Sequence, residues 1–189
     1  MRRALPSLTG LTLMLLCLQT PALGAAPQGR QSFETCTMIT SEYLTILQLI
    51  GRGLGPETLS DTLPDVSDQA RKRIDELARA VRDDGLSSVY SQVNAEYARC
   101  AKTVYDHGGA PAPQSREAHF YICAGENKVR YEVLMSAVVG GSQSEVLPQL
   151  APSQRDAART LFDLYQDRGT EAVFDKLADE LKFCINNNL

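Results

Sequence analysis

Tryptophan is absent from the 189 residues, histidine occurs only twice, and aromatic side chains make up 6% of the chain. A histidine-dependent catalytic or metal site would therefore have only His107 and His119 to draw on. They flank a Gly/Pro-rich stretch, and joining them with Glu117 gives a poor set of zinc ligands. An excess of basic charge is also missing. There are 23 acidic and 19 basic residues, for a formal charge of −4, which argues against nucleic acid as a partner. No segment reaches the roughly 20 apolar residues of a membrane helix, so stable membrane insertion is not expected. What is present, 43% hydrophobic and 22% charged residues, is enough for one ordinary core or two small ones.

Residues 1–24 read as a secretory signal peptide. Arg2 and Arg3 supply the basic start, Leu11 to Leu18 the apolar run, and Ala22-Leu23-Gly24 the small residues of a cleavage site. Removing this segment takes both arginines with it and leaves a body of charge about −6, expected in the periplasm. Cys17 does not read as a lipidation site, because the residue before it, Leu16, is not small. The remaining cysteines, Cys36, Cys100, Cys123 and Cys184, are even in number and too far apart for a zinc site. Two disulfides are expected, with three possible pairings.

The order of residues selects among those pairings. Phe33, Cys36, Leu47, Gly53 and Leu63 match Phe120, Cys123, Leu134, Gly140 and Leu150 at an offset of 87. After a turn three residues shorter in the second copy, Arg71, Leu77, Asp83, Gly85, Val89, Glu96 and Cys100 match Arg155, Leu161, Asp167, Gly169, Val173, Glu180 and Cys184 at an offset of 84. The chain thus reads as a tandem repeat, 33–105 and 118–189, joined by a Gly/Pro linker over 106–117. Each copy starts and ends with a cysteine, which favours Cys36–Cys100 and Cys123–Cys184. A loop of about 60 residues closed in this way contributes about 4 kcal/mol on the chain-entropy account.

Within each copy the periodicity is helical. Ile39, Tyr43, Ile46, Leu47 and Ile50 mark one face, and Ile74, Leu77, Ala78 and Val81 a second. Val89, Val93, Tyr97 and Cys100 mark a third, matched by Val173, Leu177, Leu181 and Cys184. Ser67, Ser153 and Thr170 are N-cap candidates, and Gly85 and Gly169 stand where helices end. The expected fold is all-α, two tandem helical bundles each clipped by one disulfide. Three long legs would leave the two cysteines of a copy at opposite ends. A short fourth leg is therefore required, at Pro56 to Leu63 and at Ser144 to Leu150.

Several charged residues recur or diverge between the copies. Arg71 with Glu96, and Arg155 with Glu180, are expected to form ion pairs that set helix register. Glu171, Asp175 and Asp179 stand at i, i+4 spacing where the first copy has Ser87, Ser91 and Ala95, a possible face for a basic partner. Glu126 and Arg130 replace Ile39 and Tyr43, so that helix either rotates to use Ile122, Val129 and Val133 or leaves its face open for binding. Gly51-Arg52-Gly53-Leu54-Gly55 follows a helical pattern and reads as a turn rather than a phosphate loop, as does Gly140-Gly141-Ser142-Gln143-Ser144. The latter lacks the flanking glycines and strand of a nucleophile elbow. No nucleophile, base and oxyanion donor come together, so a binding protein without a cofactor is expected rather than an enzyme.

From Phe33 to Cys184, with Phe-x-x-Cys openings and a terminal Cys in each copy, the exported, acidic, helical body resembles the periplasmic immunity proteins that accompany toxic effectors of bacterial type VI secretion. The resemblance implies a protein partner, a secreted effector neutralised by occupation of its active site, and it assigns no site residues. The other class is an envelope chaperone or a lipid-associated helical protein in the style of saposin-like bundles.

Overall fold

The structure is a computed structural model that describes residues 31–62 and 66–187. The signal segment 1–24, with Cys17, lies outside the described residues. Every described element is helical: α1 (Phe33–Gly51), α2 (Pro56–Thr62), α3 (Asp68–Asp84), α4 (Leu86–Gly108), α5 (Arg116–Val138), α6 (Gln143–Val146) and α7 (Arg155–Asn186), with 3-10 turns at Leu147–Gln149 and Pro152–Gln154. The disulfides are Cys36–Cys100 and Cys123–Cys184, with Cα atoms 5.9 and 5.8 Å apart.

Local chemistry sets the boundaries. Ser32, Ser67 and Ser115 each accept a hydrogen bond from the backbone three residues on, which caps α1, α3 and α5. Helices α1 and α5 stop in the same way. Gly53 and Gly140 both adopt φ of 90°, and the amides of Leu54 and Gly141 reach back to Leu49 and Ser136. Those bonds satisfy carbonyls that a helix end leaves open, and the positive φ favours glycine. Gly85, at φ 85°, separates α3 from α4. Gly169, at φ 78°, breaks α7 into arms 155–168 and 170–186. Ser153 and Thr170 do not serve as N-caps: the 3-10 turn carries the chain directly into α7, and Gly169 itself makes the bend.

Each half thus has four legs. Helix α2 in the first, and α6 with its 3-10 turn in the second, return the chain so that the first and last legs run antiparallel and their cysteines meet. The core is continuous across the two halves. Leu44, Leu47, Ile74, Leu77, Val89 and Tyr97 of the first join Val133, Leu134, Leu161, Phe162, Leu177 and Leu181 of the second. The shared core draws polar residues inside. Thr37 and Thr40 are buried on α1, their hydroxyls donating to the carbonyls of Phe33 and Cys36. Because these helices face a second layer as well as their own, Ile39, Tyr43 and Ile50 flank the buried stripe rather than centre it.

The expected ion pairs do not form. Glu96 bonds Arg99 on its own helix at 2.7 Å, and Arg71 is exposed on α3. The buried face of α4 is centred on Tyr90, Val93, Asn94 and Tyr97, where it meets both α1 and the other half, which leaves Glu96 at the stripe's edge. Arg155 donates instead to the carbonyls of Leu150 and Pro148, holding the turn before α7. Glu180 takes Lys176 at 2.6 Å and Arg130 at 3.8 Å.

The deepest polar link between the halves is Asn127 on α5, which donates to Asn94 Oδ1 at 2.9 Å while Asn94 donates to the carbonyl of Tyr90. Both asparagines are almost fully buried. Replacing Asn127 with Ala strands the Asn94 oxygen and should cost about 1–3 kcal/mol. Chemical denaturation followed by circular dichroism should show a single transition displaced as a whole; two separate transitions with only one displaced would contradict a shared core.

Candidate functional site

The acidic series on α7 is part of the seam between the halves. Asp175 accepts the Tyr90 hydroxyl at 2.8 Å, and its carbonyl accepts Gln48 Nε2 at 3.2 Å. Asp179 accepts the same Gln48 amide at 3.0 Å, and Lys182 bridges Asp179 and Gln48 Oε1. Glu171 accepts Ser87 Oγ at the long distance of 3.5 Å. Asp175 is therefore partly drawn into the seam, while Glu171 and Asp179 stay exposed at its edge, beside α4 and α1. Tyr90 and Phe174, paired by the offset of 84, stack at 5.2 Å with an interplanar angle of 6°. Ser87 and Glu171 share that offset. On the other side of the seam Ser91 bonds the Tyr131 hydroxyl at 2.8 Å and approaches the Met135 sulfur at 3.9 Å.

Burial, the hydrogen bond to Asp175 and that carboxylate's charge push the Tyr90 phenol far above its usual range, so it remains a donor. At Asp179 burial pushes the carboxyl up, but the hydrogen bonds from Gln48 and Lys182, with the charges of Lys182 and Arg52, outweigh it and hold the group below its usual range. Gln48 was not legible as a seam residue, since it breaks the apolar pattern of α1. Its signal is that position itself, a glutamine one step from Leu47 on the buried side of the helix.

Where the helices α1 and α5 begin and α4 ends, the surface opens into a cleft of about 730 Å³ lined by Ser32, Phe33, Val104, His107, Pro111 and Glu117 among others. Two links hold this end together. The Phe33 amide donates to Glu117 Oε2 at 2.8 Å, and Arg116 binds Glu34, with Nε at 2.8 Å. The first link places a carboxylate at the positive end of α1. The hydrogen bond and charge of Arg116 lower the Glu34 pKa. His107 donates from Nδ1 to the Thr103 carbonyl, and His119 packs edge-on against Phe120. Beside the cleft, Tyr105 and Tyr121 stack 6.0 Å apart, and Phe33 meets Tyr121 edge-on at 5.0 Å. The two tyrosines are 45% and 37% exposed. They form an aromatic ledge at the end of the molecule that carries both disulfides. Sequence reasoning missed it because Tyr105 and Tyr121 lie on either side of the linker, and only the fold stacks them.

Glu126 and Arg130 occupy a different place. They pair with each other at 3.1 Å on the outer face of α5, and Arg130 also reaches Glu180. With Val129, Val133, Ala157, Ala158 and Leu161 they line a second cavity of about 190 Å³ between α5 and the first arm of α7. The alternative rotation of α5 is only partly realised: Val133 is buried and Val129 half-buried, but Ile122 is exposed.

No described helix is long and apolar enough to cross a membrane. The two disulfides fit an oxidising, extracellular or periplasmic environment. No protein-family model, curated protein or solved structure matches the chain.

The sign of the Asp179 effect is set by its lowered pKa in the folded state. The ionised form stabilises the fold at pH values above the unfolded pKa of about 3.9, and that contribution is lost as the pH falls through the lower folded value. Compared by thermal melting, wild type and Asp179→Asn should differ by a constant margin between pH 5 and 7, at about 0.15 M salt, and converge below about pH 4. A margin independent of pH would remove Asp179 from the seam's electrostatics.

Proposed function

We propose that the chain is an exported, periplasmic binding protein of the immunity type, which holds a toxic secreted effector and blocks its active site. The observation that carries this reading is the aromatic ledge. Tyr105 and Tyr121 present large, rigid, amphipathic surface beside a cleft, and tyrosine is among the residues that dominate the energy of protein interfaces. Neighbouring contacts hold the ledge in place before any partner arrives, which lowers the ordering cost of association. The acidic body and the signal-like leader agree with a role in the envelope, where such an effector acts. The second reading, a chaperone or lipid-associated protein, draws on the same exposed apolar side chains, with Phe183 and Val139 added. It requires a broad, adaptable apolar surface rather than a fixed pair of rings.

The test is capture with the mature, oxidised protein, residues 25–189, followed by an activity assay of whatever is retained. One enzyme bound stoichiometrically and silenced in the complex is the expected outcome, and Tyr105→Ala or Tyr121→Ala should each weaken that complex about tenfold or more. Recovery of many unfolded chains, or of lipid alone, would move the protein to the chaperone or lipid-associated class.

A further inference from the structure

The two halves meet as the two copies of a symmetric dimer meet. Tyr90 and Phe174, equivalent by the offset of 84, stack on each other at 5.2 Å, and Ser87 reaches its own equivalent, Glu171, at 3.5 Å. A second set of contacts is reciprocal. Gln48 of α1 donates to the carbonyl of Asp175 on α7 at 3.2 Å. The equivalents of these two, by the offsets of 87 and 84, are Met135 of α5 and Ser91 of α4, and the Ser91 hydroxyl stands 3.9 Å from the Met135 sulfur. Equivalent residues that meet each other, together with a contact of one with another that is repeated in reverse, define an isologous two-fold interface. The seam surface of one half therefore fits the other half of any copy of the chain.

No disulfide ties a half to its own chain. Cys36–Cys100 closes within the first half and Cys123–Cys184 within the second, so the halves can part with both cystines intact. The covalent tie is the linker, and it is bent against residue preference. Gln114 adopts φ of 62°, alone in a positive φ among the described non-glycine residues. It stands third in a turn that follows Pro113 and is closed by the Ser115 amide donating to the Ala112 carbonyl at 3.1 Å, a place that favours glycine or asparagine. Opening the linker releases that strain, and a strained hinge between two intact units favours exchange. We infer that a second copy of this chain is a partner: two chains exchange halves, the first half of each packing on the second half of the other. Every seam contact is remade, so the cost is that of association and falls as concentration rises. Tyr105 precedes the linker and Tyr121 follows it, so the exchanged dimer presents two aromatic ledges, each with one ring from each chain. The inference does not rest on the effector reading.

The test is light scattering after gel filtration of the oxidised protein, warmed close to its melting temperature at millimolar concentration and cooled. A discrete dimer beside the monomer is expected, with the same circular dichroism and both cystines intact. The triple variant Gly109→Ala, Pro111→Ala, Pro113→Ala lets α4 run on into α5 and should make the dimer the main species. Gln114→Gly relaxes the closed turn and should lower the dimer association constant about threefold or more. Spin labels at Ser87→Cys of one chain and Glu171→Cys of another should give, in the mixed dimer, the same short distance as a monomer labelled at both positions. Only long distances in that dimer would mean side-by-side association and would overturn the exchange. Wild type that returns entirely as monomer would overturn it as well, whether or not the triple variant folds. None of these readouts depends on capturing an effector.

Discussion

Closing each half by a disulfide between its first and last legs is the constraint from which the rest of the architecture follows. A cystine needs its two Cα atoms within about 7 Å, and a helix of the length of α1 or α4 carries the chain roughly 30 Å. The chain must therefore make an even number of traverses. The short legs α2 and α6 meet that requirement, although neither is long enough to be stable alone. The same closure gathers the starts of α1 and α5 and the ends of α4 and α7 at one end of the molecule. The aromatic ledge forms there, where the end of α4 meets the start of α5 and stacks Tyr105 on Tyr121.

The seam between the halves shows how a helical protein uses polar residues to join two layers. Gln48 spends its amide on Asp175 and Asp179 and its carbonyl on Lys182. Asn94 and Asn127 satisfy each other. A polar group buried without a partner costs a few kcal/mol, and any sliding of one half against the other would strand several such groups. The Tyr90–Phe174 stack supplies area, and the hydrogen bonds around it supply register. An acidic run that reads as a partner-facing stripe thereby also bonds across the seam, through Asp175 to Tyr90 and through Asp179 to Gln48.

The halves differ most where they are least constrained. Their glycine stops, bends and disulfides correspond, but the α1–α3 seam carries Arg73, Tyr43 and Ile74, whereas the α5–α7 seam carries Ala157, Ala158 and an arginine, Arg130, paired with Glu126 and Glu180. A well-packed core loses stability for each missing methylene. Leaving the second seam open therefore costs the fold some stability.

Much of this was legible along the chain. The helical class, the positions of the bends at Gly85 and Gly169 and the need for a short fourth leg follow from local rules, the 3.6-residue period, the left-handed freedom of glycine and the reach of a disulfide, and the cystine pairing follows from the match of Cys36 and Cys100 with Cys123 and Cys184 along the chain. What the tertiary structure decided is which partner each charged or aromatic side chain finds. Glu96 and Arg71 share the period of an apolar face, yet they miss each other because α4 turns that face toward two neighbours at once and shifts its centre to Tyr90 and Asn94. Asp175 and Asp179 have the spacing of a surface stripe, yet they meet Tyr90 and Gln48 because the second half packs on the first. Periodicity reports the angle of a residue around its own helix; only packing determines what stands opposite that angle.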